Sequence, residues 1–419
     1  MKYMINKERT HLFSPAANVA VKIDIEARVD TDTMKDAIDK AVRNNEILNC
    51  KIEINEDGEA FYTKITDPVY SVRVSEQEWT DIVSEQEKIR FMIEKGELIR
   101  FFLIPLSDLM RVVIISHHLG GDGISISYLV RDIMTALAGG ELHFKPIRLF
   151  SLDEVPKSSS LPLGIRLMLG LYNNKWRKTG RIFNFNDLSG MFTKYWQTHN
   201  TVVYRYSFPG TNYEALINEV HAHAVSMNSA ITTAFIRAAG EKTSVGHAVN
   251  IRETGYEGMG NFATGISTKY QYDGSKDFWH NARQVQNLIY SKLNDDKARY
   301  FLLLFIGSIQ PTLIDATMFS AFDGYDNNIA KTFQRMFGYD NNPRGISITN
   351  LTRLPIPHAY GKYTISDFSF VAPLVANAKR IISIATLNGK MVLTLHIENN
   401  SDAEANVQFF EKAMSYLHF

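Results

Sequence analysis

One cysteine, Cys50, stands in 419 residues, so no internal disulfide can form, and this fits a reducing compartment. Cys50 lies in Leu48-Asn49-Cys50-Lys51-Ile52, where a small buried side chain is a simpler reading than a reactive thiol. An excess of either charge is also missing. Forty-five basic residues balance forty-five acidic ones, which gives no electrostatic reason to expect nucleic acid or a strongly anionic membrane as partner. Long apolar runs are absent too. Residues 1–8 hold no apolar core of signal-peptide length, and the most lipid-like run, 300–309, stops at Gln310-Pro311. That run is too short to span a bilayer and reads as a buried helix. These absences predict a soluble, cytoplasmic protein. What is present is ordinary for one: 45% hydrophobic and 21% charged residues, over a length that suits two domains of about 200 residues.

Residues 19–29 alternate mostly apolar with polar, as a half-buried strand does. Asp30-Thr31-Asp32-Thr33 then offers helix caps. Met34, Ala37, Ile38, Ala41 and Val42 follow at spacings of three and four, one face of a helix. Residues 97–105 and 110–116 read as strands, and 124–138 as an amphipathic helix closed by Gly139-Gly140. Residues 157–195 change character: three serines and Pro162, then a leucine-rich stretch with basic residues. They read as a connector with a docked helix; a basic amphipathic helix over 161–178 lying on a membrane is the other reading. From residue 201 strands and helices resume, with strands at 202–208, 247–252, 345–349, 380–387 and 390–397 and helices at 213–226, 229–239 and 403–417. The mixture, without strict βαβ alternation, predicts α+β. The division expected is 1–156, a connector 157–195, and 196–419.

Between the strand ending at Ser116 and the helix starting at Ile124 stands His117-His118-Leu119-Gly120-Gly121-Asp122-Gly123. A strand-to-helix loop is where a rigid scaffold presents side chains to a cleft. A neutral imidazole suits removal of a proton from an alcohol or amine as a new bond forms. Side chains of successive residues at a strand end diverge, so His117 and His118 cannot both face one cleft. The same divergence argues against a shared metal ion, and neither a helical His-x-x-x-His nor a cysteine cluster accompanies them. Ser116 has no Gly-x-Ser-x-Gly elbow, and the glycines lack the Gly-Lys-Ser/Thr ending of a phosphate loop. His221 and His223, two apart in a helix, point to different faces. The aromatic and leucine-rich run at 300–306 reads as helix core rather than the lining of an acyl tunnel.

The pattern His-His-x-x-x-Asp-Gly resembles the chloramphenicol-acetyltransferase-like superfamily, which includes condensation domains, polyketide-associated acyltransferases, alcohol acetyltransferases and wax ester synthases. Weaker likenesses follow in order: Val249-Asn250-Ile251-Arg252 with Gly260-Asn261-Phe262, then Thr349-Asn350-Leu351-Thr352 where the family has Ser-Asn-x-Gly, then Asp367-Phe368. The resemblance implies two α/β sandwich subdomains in a V-shaped pseudo-dimer with the active site between them. It implies an acyltransferase that moves an acyl group from a CoA or carrier-protein thioester to an alcohol or amine. His118 would be the general base, with no covalent acyl-enzyme, no metal, and no cofactor beyond the thioester co-substrate. It further implies structural roles for His117, Asp122, Gly123 and Arg252, with Asp122 turned from the histidine to pair with Arg252. Thr349, Asn350 and the Gly123 amide become candidate oxyanion or substrate contacts. Gly121 and Gly123 are expected to permit a tight turn and close approach to substrate. No adenylation or carrier domain fits within 419 residues, so a free-standing monomer is expected. A catalytically silent docking module is the alternative.

Overall fold

The computed structural model describes residues 2–208, 210–340 and 345–418. Two six-stranded mixed sheets dominate it. A third, of the short strands Lys2–Met4, Cys50–Ile54 and Ala60–Lys64, shares the core of the first.

The first sheet runs in the order Ala359–Tyr360, Tyr363–Val371, Asn18–Ile25, Met110–His117, Glu97–Pro105, Val69–Val74, antiparallel except at the last pair. Its central strand Asn18–Ile25 is buried throughout, which even includes Lys22 and Asp24. Helices Thr31–Asn44 and Gly123–Leu137 pack together beside it. The first starts at Asp30, whose carboxylate accepts from the Asp32 and Thr33 amides, and it buries Met34, Ala37, Ile38, Ala41 and Val42.

The second sheet runs Ala263–Tyr270, Thr243–Asn250, Ile346–Arg353, Ile381–Leu387, Lys390–Glu398, Thr201–Phe208, with Ile346–Arg353 parallel to both neighbours. Helices Met227–Ala239, Phe278–Leu293 and Ala403–Ser415 contribute Phe235, Val285 and Phe410 to its separate core. The architecture is α+β with two subdomains. No single helix among the described residues is long and apolar enough to cross a membrane.

The halves are not sequential blocks. Strand Tyr363–Val371 pairs with Asn18–Ile25 in the first sheet, and Leu313, Phe319 and Phe333 also join the first core. The division by chain position at residue 196 is crossed there. The same strand is tied to the second sheet: Thr394 Oγ1 donates to the Phe370 carbonyl at 2.6 Å, and the Ala372 amide to Ser383 Oγ at 2.9 Å. Asp367 is the charged centre of this seam. It accepts from Lys22 at 2.7 Å on one sheet and from Arg205 at 2.6 Å and Lys390 at 2.5 Å on the other. Burial pushes its pKa up, but these three cations override it and hold the carboxyl at about 2.

Candidate functional site

The histidine motif begins where its strand stops pairing. His117 is the last paired residue, opposite Asn18; the His118 amide still donates to the Ala17 carbonyl at 2.8 Å, and the Gly120 amide turns back to the His117 carbonyl at 2.7 Å. The two rings diverge. His117 is buried, its Nδ1 accepts from the Leu119 amide at 3.2 Å, and Phe91 meets it edge-on at 5.9 Å. Burial lowers its pKa to about 3, so the ring is neutral.

His118 is half-buried and lies flat against His11, with ring centroids 4.1 Å apart and planes 12° from parallel. Burial also lowers its pKa, to about 4; Asp122 opposes the shift and Lys7 adds to it. Its Nδ1 is enclosed without a protein hydrogen-bond partner. His11 lies within the short helix Arg9–Leu12 and Lys7 just before it, and two long-range contacts pin this segment. Arg9 and Asp315 form a fully buried bidentate pair at 2.7 and 2.5 Å, and Lys7 Nζ donates to the carbonyl and side chain of Asn261 at 2.9 and 3.1 Å. The N-terminal segment is thus part of the site, a role the sequence reading gave it no hint of.

Asp122 caps the helix Gly123–Leu137 and is saturated with donors. Its Oδ1 accepts from the Ser125 amide at 2.8 Å and from Arg252 Nη2 at 3.2 Å, and its Oδ2 from the Phe262 amide at 2.7 Å. Burial works to raise its pKa, but Arg252 and the two amides outweigh it, so the carboxyl stays charged. A carboxylate spent on these partners orients the loop, not the imidazole. Arg252 donates also to Ser125 Oγ at 2.6 Å and the Gly258 carbonyl at 2.9 Å, and lies 4.4 Å over the Phe262 ring. The strand expected over 247–252 spans Thr243–Asn250, so Arg252 stands in the loop after it, which is how it reaches across to the motif.

The motif glycines have a packing reason to lack side chains. Neither Gly121 nor Gly123 has positive φ, so no left-handed turn requires them. A Cβ at Gly121 would lie 2.8 Å from Ser125 Cβ; one at Gly123 would lie 2.7 Å from the Phe370 ring and 2.9 Å from Leu351 Cδ2. The close approach they permit is between protein segments.

Thr349 and Asn350 sit in consecutive positions of Ile346–Arg353 and so face opposite sides of the sheet. Asn350 donates to Asn228 Oδ1 at 3.3 Å, accepts from the Thr352 amide at 2.7 Å, and lines a cavity of about 490 Å³. The cavity wall includes Ile124, Met227, His247 and Leu351, so it reaches the first turn of the motif helix from the second subdomain. His247 bonds through Nε2 to Thr268 at 2.9 Å, and burial lowers its pKa to about 4. The pairing register with Ile381–Leu387 shifts between Asn350 and Arg353, where Thr352 is held at φ 58°. That left-handed conformation is costly for a β-branched residue, and this is the position where the resembling pattern carries glycine. Thr352→Gly is therefore expected to stabilise the fold by about 1 kcal/mol, read as a higher midpoint in urea denaturation; an unchanged or lower midpoint would contradict the strain. Among the described residues no three His, Cys, Asp or Glu side chains are grouped to hold a metal ion.

No family model matches the sequence. A segment of 129 residues, 30% of the chain, is 24% identical to the polyketide synthase-nonribosomal peptide synthetase ffsA of Aspergillus flavipes. A 129-residue match to pyiS of Pyricularia grisea is 26% identical. The chain matches only 3% of the length of each of these relatives. Solved structures align over nearly its whole length. Polyketide synthase associated protein 5 from Mycobacterium tuberculosis superposes with TM-score 0.64 at 14% identity, covering 100% of this chain and 98% of that one. The trichothecene 15-O-acetyltransferase TRI3 of Fusarium sporotrichioides gives 0.65 at 10%, covering 99% and 95%. The first condensation domain of the CDA synthetase gives 0.62 at 11%, covering 98% and 94%. At these identities the likeness is one of architecture: the chain shares the fold of these condensation-domain and acetyltransferase structures.

Proposed function

We propose that the chain is an acyltransferase in which His118 is the general base, moving an acyl group from a CoA or carrier-bound thioester to an alcohol or amine. The observation that carries this reading is a neutral, half-buried imidazole at the motif loop, its Nδ1 enclosed and its neighbouring carboxylate fully occupied by Arg252 and backbone amides. Nε2 is then the nitrogen left to meet a substrate. It takes the acceptor proton as the acceptor oxygen or nitrogen bonds to the thioester carbonyl carbon. The tetrahedral oxyanion collapses, the carbon–sulfur bond breaks, and the imidazolium returns the proton to the departing thiolate. Burial, by lowering the proton affinity of the ring, favours that last step and works against the first. Thr349 and the Gly123 amide are the proposed oxyanion donors, while Asn350 faces the cavity and is assigned to substrate contact there. The apolar part of the acyl group or acceptor is assigned to the cavity whose wall includes Ile124.

The test is release of free thiol by the purified chain. Acyl-CoA and the same acyl group on a phosphopantetheinyl carrier are each offered with alcohol and amine acceptors. Acceptor-dependent thiol release, with the matching ester or amide found by mass spectrometry, is the expected result. Thiol release independent of every acceptor, or none across a panel of chain lengths, overturns the reading.

A further inference from the structure

Helix Leu163–Arg177 carries three leucines one turn apart, Leu163, Leu167 and Leu171, and each is more exposed than not, at 68%, 61% and 64%. The opposite face is anchored. Leu169 and Trp176 are buried, Trp176 Nε1 donates to Thr312 at 2.9 Å, Asn173 donates to the Ser308 carbonyl at 2.8 Å, and Tyr172 meets Phe333 edge-on. The helix is thus fixed in place while its leucine stripe stands in water.

The charge around the stripe is one-sided. Between Glu154 and Asp187 the sequence has no acidic residue, although the whole chain is neutral. Arg166, Lys175, Arg177 and Lys178 are all exposed on or just beyond this helix. On a helical projection Arg166 and Arg177 flank the leucines on one side and Lys175 on the other, with Lys178 at the C-terminal end.

We propose that this helix is a membrane-surface element, lying along an anionic bilayer with its three leucines in the acyl-chain boundary and its basic residues among the headgroups. The shape favours a bilayer over a protein partner. The stripe is the convex outer surface of one helix, and leucine is under-represented among the residues that dominate protein–protein affinity. Apolar insertion combined with basic flanks is instead what interfacial helices share. The inference does not depend on the acyl-transfer reading and concerns the chain's location, not its chemistry.

Co-sedimentation of the full chain with vesicles tests it. One set holds phosphatidylcholine with about 30% phosphatidylserine, the other phosphatidylcholine alone. The chain is expected to pellet with the anionic vesicles and far less with the neutral ones. The triple variant Leu163→Asp, Leu167→Asp, Leu171→Asp should lower vesicle affinity about a hundredfold. Arg177→Glu with Lys178→Glu should lower it at least about thirtyfold on anionic vesicles alone. Unchanged circular dichroism and Tm would confirm folding, and the charge variant keeps the test decisive should the leucine variant misfold. Absence of binding to anionic vesicles, or equal binding by wild type and both variants, overturns the proposal. So does leucine-dependent binding to an acidic protein, such as a carrier, without any vesicle binding.

Discussion

Replacing His118 by alanine is expected to slow acyl transfer by about 10²–10⁴-fold, the usual worth of a positioned general base. The fold should barely notice. The ring is half-buried, its Nδ1 has no protein partner, and its main contact is the stacked His11. Turnover should therefore collapse while Tm moves by no more than about 3 °C. The pH profile separates this role from a structural one. The base form is the neutral ring, so activity that depends on it is present above the pKa and lost as pH falls through about 4. Between pH 8 and 5 the rate should stay nearly flat, where a solvent-exposed histidine would give a decline centred near 6.5. Stability adds a second effect of known sign. His117 and His118 have native pKa values below those of the unfolded chain, so unfolding takes up protons below about pH 6.5 and the fold weakens as pH falls. Rates near pH 4 must be read on protein shown to be folded at that pH. Residual turnover in His118→Ala equal to wild type would remove the base from the mechanism.

Loss of either partner of the Asp122–Arg252 pair should be strongly damaging to the fold. Both side chains are nearly inaccessible, at 9% and 4%. Asp122→Ala would leave Arg252 buried against Gly258 and Phe262 with no countercharge, and would strip a helix cap and the acceptor of the Phe262 amide. A destabilisation of about 3–5 kcal/mol is expected from equilibrium denaturation, and a similar one for Arg252→Ala. The double replacement should cost well under the sum, because the second loss removes the charge that the first stranded. Strict additivity would mean that the two side chains act independently, against the 3.2 Å contact. Arg252→Lys should recover little, since an ammonium cannot reach Asp122, Ser125 and the Gly258 carbonyl together.

What could be read in the sequence follows from the range of the forces involved. Helix Thr31–Asn44 and strand Met110–His117 announce themselves because caps and periodicity are local, and the expected elements match within a few residues. The motif loop was legible for the same reason. The N-terminal wall of the site was not. Lys7, Arg9 and His11 fall in a stretch without periodicity, and the burial of Lys7 and Arg9 makes sense only with Asn261 and Asp315 supplied from more than 250 residues away. Strand Tyr363–Val371 was likewise invisible as a member of the first sheet, since its partner Asn18–Ile25 is more than three hundred residues away. Asn350 shows a third cause. A short motif match names residues but not the face of the strand they occupy, and the structure separates Asn350 from Thr349.

The swapped-over strand also decides how this protein can be taken apart. A fragment ending near residue 195 would keep most of the first core but leave Asn18–Ile25 with one flank bare, a row of unanswered amides and carbonyls along a Val- and Ile-rich edge. Such a piece would tend to zip onto copies of itself. Splitting the chain at its apparent midpoint is therefore expected to yield an aggregation-prone product and not an independent half, because only a chain carrying both Asn18–Ile25 and Tyr363–Val371 can close this sheet.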